Sequence, residues 1–432
     1  MKILKYSAVL ALSLIFPFSA FCDDPVDPDP TGFTDPSDPS GFTDPLDPSG
    51  FTDPTDPGTS GEPVVCTFAE LAEGLNEMAA FFGVPGPQIN FSTDGINEGL
   101  DEFSDTLLRA APQAAVSQNL WADAYIGKFF PALPPHFGFG VTAGGSKVDM
   151  RGLKKAADSL ENSFKNVCTS LATGNSVEFG DIPERLILPV LSLDARIGGL
   201  ILPFDVGFCL MMTSPSLFTI DFEDPDSILG MDGGINLGTL GFDGTVSYYT
   251  MGFDVRYAVL KGGLILPKIS LGGGYIYTRG EFAVNASHAD SEANINMAFS
   301  THVLYLQAQV SKSFLIFTLF GGGRALLANT TTSYAWDVTT KYTMTAAGTP
   351  IADFIIKDGS AASKESNNKN EFYKEGKFDL NAVQPQVYLG MSLNLIVFQT
   401  SVSACCDVRS LLDPEKYNGR LWSGSVSFHF KI

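Results

Sequence analysis

Charge is scarce in this sequence. Of its 432 residues only 17% are Asp, Glu, Lys or Arg, and four are histidine. The six cysteines, Cys22, Cys66, Cys168, Cys209, Cys405 and Cys406, make no C-x-x-C pair, and His136, His288, His302 and His429 stand far apart. Neither a disulfide framework nor a metal-ligand spacing is legible. Long apolar runs are also missing. A membrane-crossing helix needs roughly 18 or more consecutive apolar residues, yet "IGGLILPFDVGFCLMMT" is broken by Pro203 and Asp205 and "FLIFTLFGGG" stops at Arg324. G-x-S-x-G in a strand–turn–helix context, G-x-G-x-x-G and P-loop patterns are absent, and the histidines have no matching Ser or Asp partners in sequence. An enzyme is therefore not expected, nor is a cofactor, a metal or a nucleic-acid partner.

What is present begins with export. "MKILKYSAVLALSLIFPFSAFC" has Lys2 and Lys5, an apolar run from Ala8 to Phe18 and small residues before Cys22, the form of a secretory signal over residues 1–22. Cleavage after Cys22 puts Ala20 at −3; retention of an acylated Cys22 is the alternative, and bulky Phe21 opposes it. A nine-residue repeat follows, "GFTDPSDPS", "GFTDPLDPS" and "GFTDPTDPG", starting at Gly32, Gly41 and Gly50. Proline fixes its own φ and extends the residue before it. Residues 23–63, with eleven acids and no base, are predicted to be a disordered spacer with a reach on the order of 120 Å. A solvated linker and a set of docking phenylalanines are both compatible with it.

Two amphipathic helices come next. Thr67 and Glu70 form a capping box ahead of Phe68, Leu71, Leu75, Met78 and Phe82. From Asp94, the residues Ile96, Leu100, Phe103 and Leu107 repeat on one side. Residues 64–112 are too short for a core of their own, so they are expected to act as a helical plug or periplasmic segment of a body at 113–432.

That body alternates with period two. In residues 383–397, Val387, Leu389, Met391, Leu393 and Leu395 share one face, and Gln386, Tyr388, Gly390, Ser392 and Asn394 share the other. Similar strands are predicted at Leu120–Ile126, Phe137–Ala143, Leu191–Ile197, Phe204–Met212, Tyr249–Val259, Ile265–Tyr277, Leu304–Val310 and 398–406, and the chain ends on alternating Trp422, Val426, Phe428, Phe430 and Ile432. Tight turns near 131–135, 198–203, 260–264, 311–313 and 397 alternate with long connections at about 144–186, 213–245, 278–295, 328–382 and 407–419. Short periplasmic turns and long outer loops mark a transmembrane antiparallel β-barrel, here of about 12–14 strands since single-chain bacterial barrels have even counts. The aliphatic face meets lipid in the outer membrane of a diderm bacterium. Tyr249, Tyr257, Tyr275, Tyr277, Trp422 and Phe430 suit interfacial girdles, and the terminal aromatics suit a signal for barrel-assembly machinery.

The other phase faces the lumen. It carries Asp194, Arg196, Asp254 and Arg256 as two D-x-R pairs, with Asp123, His136, Asp205, Lys268 and Arg324. Asp194, Asp205 and Asp254 either pair with these bases and close the lumen or leave a polar, anion-binding site. Val303, Tyr305, Phe314, Ile316 and Phe320 add apolar lining, with Leu315, Phe317 and Leu319 outward. Arg196, Arg256, Lys268 and Arg324 beside that lining suit a carboxylate with an aliphatic tail. In the first long loop, Leu153, Leu160, Phe164, Val167 and Leu171 form an amphipathic helix, either packed over the mouth or serving to capture lipid-like molecules.

The N-terminal helices, the helix-bearing outer loop and the partly apolar lumen together resemble the FadL family of outer-membrane channels for long-chain fatty acids and hydrophobic compounds. The resemblance spans residues 67–432 in architecture only. It implies uptake of hydrophobic small molecules through a barrel plugged by the N-terminal segment, as the fourteen-stranded family barrels are. No Asn-Pro-Ala hatch motif is present, so no residue role is carried over, and the acidic repeat lies outside the family pattern. The other reading is a structural or adhesive surface protein with a sealed lumen.

Overall fold

A computed structural model describes residues 63–117, 120–126, 136–171, 177–199, 203–212, 235–238, 242–263, 265–346, 349–367, 372–374, 377–415, 417 and 419–431. The export signal, the fate of Cys22, the acidic repeat and the turn at 131–135 lie outside the described residues.

Among these, ten strands close a ring: β2 (His136–Asp149), β3 (Arg185–Gly198), β4 (Phe204–Met212), β6 (Gly244–Lys261), β7 (Lys268–His288), β8 (Ser291–Phe314), β9 (Phe317–Ala346), β13 (Gln384–Leu395), β14 (Phe398–Asp407) and β15 (Trp422–Lys431). Each pairs antiparallel with its neighbours, and β15 closes on β2 with Val426 opposite Ala143. The sheet as a whole has thirteen strands. The expectation is a barrel of about 12–14 strands; the ring has ten among the described residues, while β1 (Val64–Cys66), β5 (Ile235–Asn236) and β10 (Thr349–Asn367) join the sheet beyond it and β11 (Tyr373–Lys374) and β12 (Lys377–Phe378) pair only with each other.

The alternation of residues 383–397 behaves as read. Val387, Leu389, Met391 and Leu395 are exposed on the outside of β13, while Gln386, Tyr388, Gly390 and Ser392 are buried inside. The outward positions sort by height. On β7, Ile269 and Leu271 give way to Tyr275 and Tyr277, and then to Arg279 and Glu281. Tyr249, Tyr277 and His302 cluster at the same level on three strands. A second aromatic row lies by the short turns, where Phe204 packs on Tyr257 and Phe398 on Phe430. An apolar band between two aromatic girdles is the mark of a transmembrane barrel, and the chain is an outer-membrane barrel of that kind.

Above the upper girdle the phase inverts. Phe282, Val284 and Ala286 of β7, Ala293, Ile295 and Met297 of β8, and Tyr334, Trp336 and Val338 of β9 point inward and are buried. Out of the membrane, water takes the outer face and the apolar side turns in. These extended walls enclose a dome core with α1 (Phe68–Phe81), α2 (Asp94–Ser117) and α3 (Arg151–Ser170). Thr67 accepts from Glu70 N, and the Glu70 carboxylate accepts from Thr67 N at 2.7 Å, as the capping box requires. Phe68 and Leu71 of α1 enter the core, but Met78 and Phe82 are exposed. Leu153, Leu160, Phe164 and Val167 of α3 pack into it, and Leu171 packs against it. α2 and α3 cross at Gly99 and Gly152, where a Cβ on Gly99 would lie 2.6 Å from Ala156 N.

This inversion corrects two expectations. Residues 278–295 and 328–382 are mostly strand: β7 and β8 meet at a turn over Ala289 and Asp290, and β9 runs 30 residues to pair with β10. Their outward residues are polar because they stand in water, so they resembled loops. A third correction concerns Leu120–Ile126, which is not a strand. Trp121, Asp123 and Tyr125 are buried along with Leu120, Ala122 and Ala124. Alternation cannot distinguish a strand with one wet face from a strap enclosed on both sides. The helical segment thus continues past 112, and the first ring strand begins at His136.

Candidate lumen plug and ion-pair site

α2 descends from the dome into the ring. In its first half only one side is buried, through Ile96, Leu100, Phe103 and Leu107; from Ala110 to Ser117 every residue but Ala114 is buried. The sequence of that second half, "AAPQAAVS", explains the fit. A helix with ordinary side chains is about 10–12 Å across, and small residues let it enter a narrow ring. The wall facing it is hydroxylated and bonds mostly to itself. Thr250 and Thr278, Thr301 and Thr330, and Ser403 and Ser425 each pair across strands at 2.7 Å. A cavity of about 20 Å³ remains between the alanines of α2 and the wall at Thr250, Thr278 and Phe299, far too small for an alkyl chain.

Arg324 terminates the helix. Its Nη1 donates to Val116 O and its Nε to Gln307 Oε1 at 3.1 Å. A guanidinium at a helix C-terminus meets both an orphan carbonyl and the negative end of the dipole. Its Cζ lies over the rings of Tyr305 and Tyr388, 5.4 and 5.1 Å from their centroids.

The strap, residues 120–126, then runs to the short-turn end, bonded to wall side chains rather than to strands. Gln309 donates to Trp121 O at 2.6 Å and Arg256 to Asp123 O at 2.9 Å. Ala124 N donates to Ser311 Oγ at 3.0 Å, and Ala124 O accepts from Ser270 Oγ at 2.7 Å. Ile126 N donates to Asp205 Oδ2 at 2.7 Å. The Asp123 carboxylate is clasped by Lys268 and Lys431 and accepts from Gln399. Trp121 rests over Gly138, where a Cβ would come within 2.5 Å of its ring.

Beside the strap lies a buried ion network. Arg196 reaches Asp205 and Asp254, each at 2.7 Å, and Arg256 grips Asp205 through Nε and Nη2, both at 2.8 Å. All four side chains are at most 2% exposed. Charges so buried persist only when paired in good geometry, and here fork meets carboxylate. Asp194 takes a different partner, His429 Nε2 at 3.3 Å, with Trp121 stacked on the imidazole at 4.0 Å.

Of the expected site residues, the structure brings Arg196, Arg256, Arg324, Val303, Tyr305 and Phe320 inside, with Lys268 at the rim. Val303 and Tyr305 pack with Ala115 and Val116 of α2, and Phe320 with Leu120 and Ala122 of the strap. Phe314 and Ile316 are corrected: they are 52% and 48% exposed at the β8–β9 hairpin, because the turn at Leu315–Ile316 breaks the phase assumed there. Asp194, Asp205 and Asp254 are all lumen residues, as read. The other D-x-R pairs serve local structure: Asp149 binds Arg151 at 2.9 Å, and Asp407 caps α4 (Val408–Leu412) while Arg409 donates to the carbonyls of Leu380 and Asn381. Trp121, Gln309, Gln399, His429 and Lys431 were missed. The phase of "SVSFHFKI" pointed His429 inward; nothing in the sequence linked it to Asp194.

No family model matches the chain, and no curated protein matches it. Among solved structures, the β-domain of the Bordetella autotransporter BrkA is 11% identical, covering 68% of this chain and 98% of that one, with a TM-score of 0.30. The outer-membrane protease OmpT of Escherichia coli is 8% identical over 72% and 98%, with a TM-score of 0.31. A FadL homologue of Pseudomonas aeruginosa is 10% identical over 72% and 97%, with a TM-score of 0.22.

Proposed function

We propose that the chain is an outer-membrane channel for long-chain fatty acids or similar hydrophobic small molecules, held closed at rest by its own N-terminal segment. The observation that carries this reading is the strap. Asp123 presents a carboxylate to Lys268 and Lys431, while Leu120 and Ala122 beside it pack on Phe320 and Tyr388. An acid joined to an apolar stretch has the chemistry of a fatty acid, so the strap occupies its own site as an internal analogue. A ligand carboxylate takes Lys268, and Arg256 once Asp123 O departs, while its chain follows Phe320, Tyr305 and Val303. The largely self-bonded hydroxyl wall tolerates withdrawal of α2. Insertion of the barrel falls to barrel-assembly machinery reading the alternating β15.

A sealed structural or adhesive surface protein is the second reading. It is favoured by the saturation of Arg196 and Arg256 by Asp205 and Asp254. Liposomes holding the refolded full chain decide between them. Uptake of a long-chain fatty acid that falls with Arg256→Ala and rises with Asp123→Ala supports the channel. Absence of binding and uptake in all three proteins supports the sealed barrel.

A further inference from the structure

The short-turn rim is unlike a surface made for water. Hairpin tips normally carry Gly, Asn, Asp or Ser. Here the β8–β9 tip is Leu315–Ile316, the β13–β14 tip is Ile396–Val397, and Ile265 and Leu266 stand in the β6–β7 turn. Leu315 and Ile396 are completely exposed, at 102% and 104%, and Ile265 is 86% exposed. Leu315 and Ile396 also hold φ of 50° and 52°, where glycine is favoured and a β-branched residue is an outlier. The hexapeptide Gly-Gly-Leu-Ile-Leu-Pro occurs twice, at 198–203 and 262–267, both times between paired ring strands. Strain retained for the sake of an apolar tip calls for an apolar environment at that tip.

Two further observations say what that environment is. The tips continue the lipid-facing band without a break: Phe314, Phe317, Leu319, Leu395 and Phe398 are exposed next to them. The rim is also basic. Lys261, Lys268, Lys312 and Lys431 end the strands here, and among the described residues of the rim the acids are Asp123 and Asp205, both buried. Lys312 Nζ donates to Gly263 O at 2.9 Å and Leu266 O at 3.2 Å, which fastens two neighbouring tips together.

We propose that this rim is a phospholipid-binding crown, its aliphatic tips seated at the acyl–headgroup boundary of the inner leaflet and the exposed Lys261 facing a lipid phosphate. Apolar residues flanked by lysine are the usual composition of an interfacial anchor. The crown rests on the membrane barrel and not on the solute that the lumen carries.

The test uses the full chain refolded in vesicles of phosphatidylcholine with phosphatidylglycerol. Leu315→Trp and Ile396→Trp each add one fluorophore to Trp121, Trp336 and Trp422, and heat-modifiable migration verifies folding. The added emission should be quenched at least twofold by lipid brominated near the headgroup, and little by acrylamide. The opposite pattern overturns the proposal: it places the tips in water, where a soluble partner would be their occupant. Lys261→Gln should reduce phosphatidylglycerol retained per barrel severalfold in native mass spectrometry, and unchanged retention refutes the pairing with phosphate.

Discussion

Replacing Asp123 by alanine tests whether the strap is a latch. The carboxylate takes Lys268 Nζ at 3.1 Å, Gln399 Nε2 at 3.3 Å and Lys431 Nζ. Deleting one partner of a fully buried pair costs about 3–5 kcal/mol. The lysines here are 35% and 26% exposed and can rehydrate at the rim. The loss should therefore be nearer ~2 kcal/mol, the value of a hydrogen bond to a charged group. Since 1.4 kcal/mol is tenfold, the unlatched population should rise roughly 30-fold. No backbone bond of the ring involves Asp123, so the barrel should still form. In planar bilayers, Asp123→Ala should open frequently where the wild type stays closed, with heat-modifiable migration unchanged. Asp123→Asn, which keeps an acceptor, should fall between them. Closed traces identical to wild type together with lost heat-modifiability would show that the strap is part of the fold, and the latch argument would be wrong.

Other substitutions probe the membrane boundary and the dome. Leu389→Arg should cost roughly 2–4 kcal/mol of unfolding free energy in urea-titrated vesicles, and Asn296→Arg, outward on β8 but above the aromatic girdle, close to nothing; equal costs would place the boundary elsewhere. Gly99→Val must push α2 off α3 and should destabilise the dome by about 1–3 kcal/mol, read as faster proteolysis of residues 63–117. Removing residues 24–62 should leave heat-modifiable migration intact. The bonds from Thr67 hold the Glu70 carboxyl below its usual range, so its capping contribution is present at neutral pH and is lost as pH falls through that lowered value. Amide exchange at the start of α1 should quicken in acid for the wild type and not for Glu70→Gln.

Barrel class and facing were legible because lipid on one side and a hydroxylated wall on the other impose a strict period of two, as in β13. The helices were legible for the same reason at period 3.6. The ring count and the tall walls were not. Phe282, Val284 and Ala286 alternate as cleanly as Leu389 and Met391, but in the opposite phase, and the reading that looked for an outward apolar face lost the strand at Arg279. The site was half legible. Phase alone placed Arg196, Arg256, Asp205 and Asp254 inside, but not which acid meets which base, since that depends on the stagger between β3, β4 and β6. It also could not reveal that the lumen's main occupants are residues 110–117 and 120–126 of the same chain, the second of which alternates like a ring strand.

The route of the chain through the ring constrains the order in which the molecule is built. α2 enters from the dome end, the strap leaves at the short turns, and β2 starts there and turns back. Residues 63–93, with α1 and the β1–β10 pairing, thus lie beyond a ring that one slender helix fills. A folded dome cannot be threaded through that opening afterwards. An N-terminal segment that crosses while β15 and β2 are still apart needs no threading, and the barrel then closes around it. Lys431 stands on β15, which closes the ring against β2, so its contact with Asp123 forms only when that seam is shut. That ion pair is a clasp that can be fastened only once the barrel has closed.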